Sequence, residues 1–147
     1  MRLALHSAVV DELLFSRLAA PDDREALRVD GTPLSYRELA RASAAHLARL
    51  RDAGVERGDR VGVWTFPSLG TAVALAAHAA GGVVSVPLNP KLGETELSHV
   101  LSDAAPVAVT SSDLDAGRGR TPGAVEARVE TSGAAWDLEA PVDDAPA

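Results

Sequence analysis

Apolar and polar positions along this chain alternate between two periods. Ala8 to Ala19 places Val9 and Leu13, with Val10 and Leu14 beside them, on one side of a short helix that Pro21-Asp22-Asp23 ends. Ala26-Leu27-Arg28-Val29 and Thr32-Pro33-Leu34 then flank Asp30-Gly31, the dipeptide favoured in tight hairpin turns, and Pro33 confines the second strand to an edge. Ser35-Tyr36-Arg37-Glu38 has the spacing of a capping box, with a hydroxyl and a carboxylate each able to satisfy a free backbone N–H of a helix start. The helix it opens runs to about Ala53, carrying Leu39, Ser43, His46, Leu47 and Leu50 at helical spacing, and Gly54 suits the left-handed residue beyond its end.

From Arg60 the runs become short and unbroken. Arg60 to Trp64 predicts a strand, with Pro67 near the next helix start, and Ala72 to Ala80 is apolar almost all round, so this helix requires cover on more than one side. Val83 to Val86 predicts an inner strand, which Pro87 and Pro90 are expected to terminate, with the Asn89 amide tying the turn between them. Glu94 to Ala104 sets Leu97, Val100, Leu101 and Ala104 on one face, Pro106 stops that helix, and Val107-Ala108-Val109 makes a further strand. Strands that do not alternate, separated by helices, imply an α/β fold: a parallel sheet with helices on both faces, preceded by a hairpin. Ser111 to Gly123 reads as a loop, Ala124 to Glu130 as one more strand, and Thr131 to Ala147 as a weakly patterned acidic tail. The expected organisation is a single partial domain over 1–147, with an N-terminal helix and linker (1–25), an α/β core (26–110) and a loop-rich tail (111–147).

Composition narrows the function classes. At 46% hydrophobic and 24% charged the chain is globular, but only 3% is aromatic, so its core is built from Ala, Val and Leu and its stability on its own is expected to be modest. A net charge of −7 without a basic stripe argues against nucleic-acid binding. No apolar run approaches the roughly 18 residues of a membrane helix, and the opening MRLALHSAVVDELLF lacks the unbroken apolar region of a signal peptide. With no cysteine there is neither a disulfide framework nor a thiolate metal site, and a cytoplasmic location is the expectation.

No constellation of catalytic residues emerges from spacing. The histidines are His6, His46, His78 and His99, and none pairs with another at metal-ligand spacing. His46 sits in the apolar stripe of its helix and reads as a partly buried packing residue; His99 reads as a hydrogen-bond partner of Asp103 one turn on. Asp113, Asp115, Asp143 and Asp144 are loop carboxylates on a solvated surface. Gly117-Arg118-Gly119-Arg120-Thr121-Pro122-Gly123 lacks the Lys-Ser/Thr ending of a phosphate loop and has Pro122 where a dinucleotide fingerprint needs glycine. Nothing marks a nucleophile elbow. Catalytic, cofactor-binding and metal residues are all expected to be none.

Three segments in order nevertheless carry a likeness. DGTPLSYRELARASAAHLARLRDAGVERGDRVGVW, AVALAAHAAGGVVSVPLNP and ELSHVLSDAAPVAVT resemble the N-terminal portion of the adenylate-forming acyl-CoA synthetases, the AMP-dependent synthetase/ligase family, over about Ala26 to Ser111. The phrase Pro87 to Lys91 with Glu96-Leu97 and His99 looks most like actinobacterial malonyl-CoA synthetases. The resemblance implies ATP, Mg and CoA as cofactors of a full-length enzyme that forms an acyl-adenylate and then an acyl-CoA. Family segments for phosphate, adenine, magnesium and ribose binding, and the family's catalytic lysine, match no position here; Thr131-Ser132-Gly133 lacks the rest of the phosphate loop. The expectation is therefore an N-terminal fragment of an ATP-dependent carboxylate–CoA ligase that binds no cofactor itself and is inactive alone. The expected partners are the missing C-terminal portion or a second copy of the chain, since an incomplete sheet leaves an open edge. The alternatives are a non-enzymatic α/β interaction module or split-enzyme half, and the N-terminal part of a carrier-protein-dependent adenylation domain.

Overall fold

The computed structural model describes residues 16–110. Of the helix expected over Ala8 to Ala19, only residues 16–19 lie within that range, and they are helical. The readings made for His6, the loop from Ser111, the strand from Ala124, Thr131-Ser132-Gly133 and the four loop aspartates fall outside it.

The hairpin forms as its turn residues dictate. Strands β1 (Glu25–Val29) and β2 (Thr32–Ser35) pair antiparallel around Asp30 and Gly31, whose φ values of 48° and 78° are those of a primed two-residue turn. Pro33 lies opposite Arg28 in this two-stranded sheet, where an unpaired outer side tolerates its missing N–H. Helix α1 (Tyr36–Asp52) follows without a gap. Its capping box is complete: Glu38 N–H donates to Ser35 Oγ at 3.2 Å and Ser35 N–H to the Glu38 carboxylate at 2.8 Å. Ser35→Ala removes one of those bonds and is expected to lower stability by about 1 kcal/mol, read as a shift of the urea midpoint without a change in slope. At the other end Gly54 N–H reaches Arg51 O and Val55 N–H reaches Leu50 O, both at 2.9 Å, and Gly54 has φ 84°. These paired bonds are the Schellman closure, which brings Val55 back against Leu50.

Strands β3 (Arg60–Trp64), β4 (Val84–Leu88) and β5 (Ala108–Thr110) form a parallel sheet in the order β4–β3–β5, joined by α2 (Leu69–Gly81) and α3 (Glu94–Ala104). The expected α/β architecture is present, with helices on both faces. Val61 and Ala108 pack with Leu50 and Val55 on the face covered by α1 and α2, whereas Trp64 and Val109 pack with Leu97 and Leu101 of α3 on the other. Helix α2 is covered on two sides, by α1 and by the sheet, leaving a strip with Leu75 37% exposed. Its last residue, Gly81, lies so close to Leu47 of α1 that any Cβ there would collide with that side chain.

Two expectations require correction. Strand β4 is not an inner strand: among the described residues β3 is central and β4 stands at the edge, with Val84 48% exposed. Nor does Pro87 end the strand, which continues through it to Leu88 with Pro87 opposite Val63. Val84 N–H donates to Asp59 O and Leu88 O accepts from Thr65 N–H, so the even-numbered residues turn their backbone groups toward β3. The nitrogen of Pro87 therefore points to the open side, where no ladder bond is lost.

Candidate functional site

Two places in this fold could carry chemistry: the carboxyl rim of the sheet and the buried seam between α1, α2 and β4. The rim is the usual ligand position of open α/β sheets, above all where successive connections leave in opposite directions. Here β3 leads to β4 on one side and β4 leads back to β5 on the other, which places that point between the ends of β3 and β5.

The polar groups at this rim are engaged in holding the backbone together. Thr65 Oγ1 and Thr65 N–H both donate to Leu88 O, at 3.1 and 2.9 Å. Thr71 Oγ1 donates to Trp64 O at 3.4 Å, and Thr110 Oγ1 donates to Gly62 O at 3.4 Å from a fully buried position. Asn89 Oδ1 accepts from Lys91 N–H at 2.9 Å while Asn89 O accepts from Leu92 N–H at 3.0 Å, forming the turn the sequence predicts. Asn89 is itself exposed rather than buried, but its side chain is committed to that turn. The junction after β4 thus positions α3, with the Asn89 carbonyl oxygen held in the turn.

The seam holds the least expected feature. His46, in the middle of α1, and His78, near the end of α2, are both completely buried, and their Nε2 atoms are 3.0 Å apart. The rings lie 5.1 Å apart between centroids and are tilted by 30°. His78 continues the chain through Nδ1 to Ser85 Oγ of β4, at 2.9 Å. Burial holds both imidazoles below their ordinary value, His78 to about 4 and His46 to about 3, the latter helped by the adjacent His78 and by Arg49. Both rings are neutral at pH 7, and one Nε2–H supplies the single proton that the bridge needs. His46 is therefore more than the partly buried packing residue expected of it. Sequence spacing missed the pair because its members are 32 residues apart on different helices. The available signal was chemical: an imidazole in an apolar stripe and another in an almost wholly apolar helix each require a polar partner.

His99 is exposed, and no hydrogen bond joins it to Asp103, correcting that expectation. It lines an open depression of about 520 Å³ on α3 with Glu94, Thr95, Ser98 and Ser102. A second depression of about 460 Å³ is lined by Asp23, Glu25, Pro33, Ser35 and Glu38, but its acids are occupied: Asp23 pairs with Arg37, Glu25 with Arg28, and Glu38 caps α1. Among the described residues no three His, Cys, Asp or Glu side chains gather to hold a metal ion. No helix among them is long and apolar enough to cross a membrane.

The sequence of residues 14–144 matches the family model described as AMP-binding enzyme. The chain belongs to the AMP-binding enzyme family. It is 43% identical over 79 residues to a feruloyl-CoA synthase of Amycolatopsis sp, covering 54% of this chain and 16% of that protein. It is 34% identical over 96 residues to surfactin synthase subunit 2 of Bacillus subtilis (strain 168), covering 65% of this chain but 3% of that one. Among solved structures it is similar to VinN, with a TM-score of 0.71 and 29% identity over 88% of this chain and 34% of that one. It is also similar to the N-terminal subdomain of Klebsiella oxytoca NpsA, with a TM-score of 0.66 and 28% identity over 84% of this chain and 30% of that one. The chain thus spans a minor share of each relative's length, and corresponds to part of an AMP-binding enzyme's N-terminal region.

Proposed function

We propose that this chain is the N-terminal framework of an ATP-dependent carboxylate–CoA ligase and forms neither acyl-adenylate nor acyl-CoA by itself. The observation that carries this reading is the sheet rim, where the hydroxyls of Thr65 and Thr110 and the side-chain carbonyl oxygen of Asn89 are bonded within the chain. The rim builds a wall of a site and leaves the chemistry to other segments. The same reading keeps the organisation as one partial domain that works with the remaining portion of the enzyme. The likeness to feruloyl-CoA synthase supports CoA as the acceptor. The phrase from Pro87 to Lys91 supports a malonyl-CoA synthetase-like assignment through likeness alone, since Asn89 and Glu96 spend their side chains on the turn and on Gly93 N–H.

The test incubates the purified chain with ATP, Mg²⁺, CoA and a panel holding malonate, ferulate and amino acids, alone and after co-expression with a family polypeptide that begins at the phosphate loop. No product alone, and acyl-CoA from the reassembled pair, is the expected result. Product from the chain alone would overturn it. A second reading, part of a carrier-protein-dependent adenylation domain, is favoured by the likeness to surfactin synthase subunits. Aminoacyl-adenylate from the pair without transfer to CoA would establish that alternative.

A further inference from the structure

The His46–His78–Ser85 chain is a polar link between α1, α2 and β4, among contacts that are otherwise largely apolar, such as Leu47 against Gly81 and Leu39 with Val73. Its central bond depends on a single proton between two nitrogens 3.0 Å apart. We propose that this chain is an acid-responsive latch, which fastens the α1–α2 layer to β4 when both imidazoles are neutral and releases it cooperatively when they take up protons.

The surroundings of the latch make its release two-fold. The first added proton would place a charge at a fully buried position, where the neighbouring His78 and Arg49 both disfavour it. Around the pair, α1 contributes the Arg49 charge, which repels a proton on His46. Helix α2 and strand β4 hold no ionisable side chain apart from His78 itself, and β4 offers only the Ser85 hydroxyl. From β3 the ionisable residue is Arg60, at the exposed start of the strand and bonded to Ala104 O. Glu25 and Arg28 of the hairpin are exposed and paired with each other. A second proton sets one N–H against another across the bridge, so the doubly charged pair cannot remain closed. Opening returns both rings to water, where each binds a proton near its ordinary value of 6.5.

The location gives this event a structural consequence. His78 also closes the end of α2: its carbonyl accepts from Val83 N–H at 2.9 Å, and the chain then passes through Gly82 into β4. Losing the ring contacts therefore frees the packing surface of α2 and its side-chain tie to Ser85 of β4, while this backbone closure remains.

Linkage fixes the sign. Imidazoles whose values are lowered by folding contribute stability that is fully present above the unfolded value of 6.5 and is lost as pH falls toward about 4 and about 3. Between pH 6 and pH 4.5 the chain should take up about 1.5 to 1.8 protons on opening, so its opening constant should rise about 30- to 70-fold per pH unit from this pair. The experiment measures urea unfolding of the full chain at half-unit pH steps, beside the double variant His46→Leu/His78→Leu. That variant retains the carboxylates and loses the pair, so the difference between the two slopes isolates the latch. A difference of about 1.5 to 1.8 protons is expected; equal slopes would overturn the proposal. If the variant does not fold, histidine-selective ¹⁵N NMR of the unaltered chain decides. Two buried rings still neutral in the folded protein at pH 5.5 support the latch, and a buried ring carrying protons on both nitrogens at pH 6 refutes it.

Discussion

Replacing Trp64 by alanine should cost the chain about 3–5 kcal/mol, among the largest losses available to a single side chain here. Trp64 is the last residue of β3, is 1% exposed, and is the centre of a cluster with Leu88, Leu97, Leu101 and Val109, with the Phe66 ring 6.5 Å away between centroids. That cluster is the attachment of α3 to the sheet. Its neighbours are held on β3, β4, β5 and α3, so they can close only part of the vacated volume and a cavity is expected to remain. The loss should be uneven: amides of α3 should lose most of their hydrogen-exchange protection, while those of the β1–β2 hairpin change little. Trp64→Phe keeps an aromatic anchor and should lose less than half as much. The urea midpoint gives the total and residue-resolved exchange gives its distribution. A loss below about 1 kcal/mol for the alanine variant would show that α3 is held by other contacts.

Local structure in this chain was legible wherever one short segment contains its own physics. Asp30-Gly31 specifies its turn because both positions must adopt positive φ, and Ser35 with Glu38 specifies a helix start because the two side chains need only each other. What depends on strand order was harder to read. The apolar run from Val83 is compatible with an inner or an edge position, and the deciding clue was Pro87, which marks a strand with one unpaired side. The histidine pair was the least legible, since its partners approach only after α2 has packed on α1. The closeness of Gly81 to Leu47 marks how tightly those helices must meet, yet nothing in either helix alone names the other. The sheet rim was half legible: Asn89 could be assigned to a turn from its neighbours, but the bonds from Thr65 and Thr110 to carbonyls on other strands belong to the tertiary fold.

Leu50→Ala is expected to destabilise the chain by about 2–5 kcal/mol, and it separates the contribution of side-chain packing from that of the helix end. Leu50 is 1% exposed and packs with Val55, Val61 and Ala108, so it joins α1 to β3 and β5 on the face opposite α3. Its carbonyl also accepts the Val55 N–H that closes the helix. The alanine variant retains that carbonyl, and alanine favours a helix slightly more than leucine does, so the backbone closure should survive. The measured cost then reports the vacated volume beside the sheet and the lost contact with Val55. Arg51→Ala, one residue on and exposed, provides the control and should stay within about 0.5 kcal/mol of the unaltered chain. If the two variants lost similar amounts, helix α1 would be held by its ends and its partners in the hairpin, and the shared core between α1 and the parallel sheet would carry little of the stability. The expected large difference instead makes that core the bond between the hairpin–helix unit and the sheet, in the same layer that holds the histidine pair about one turn earlier on α1.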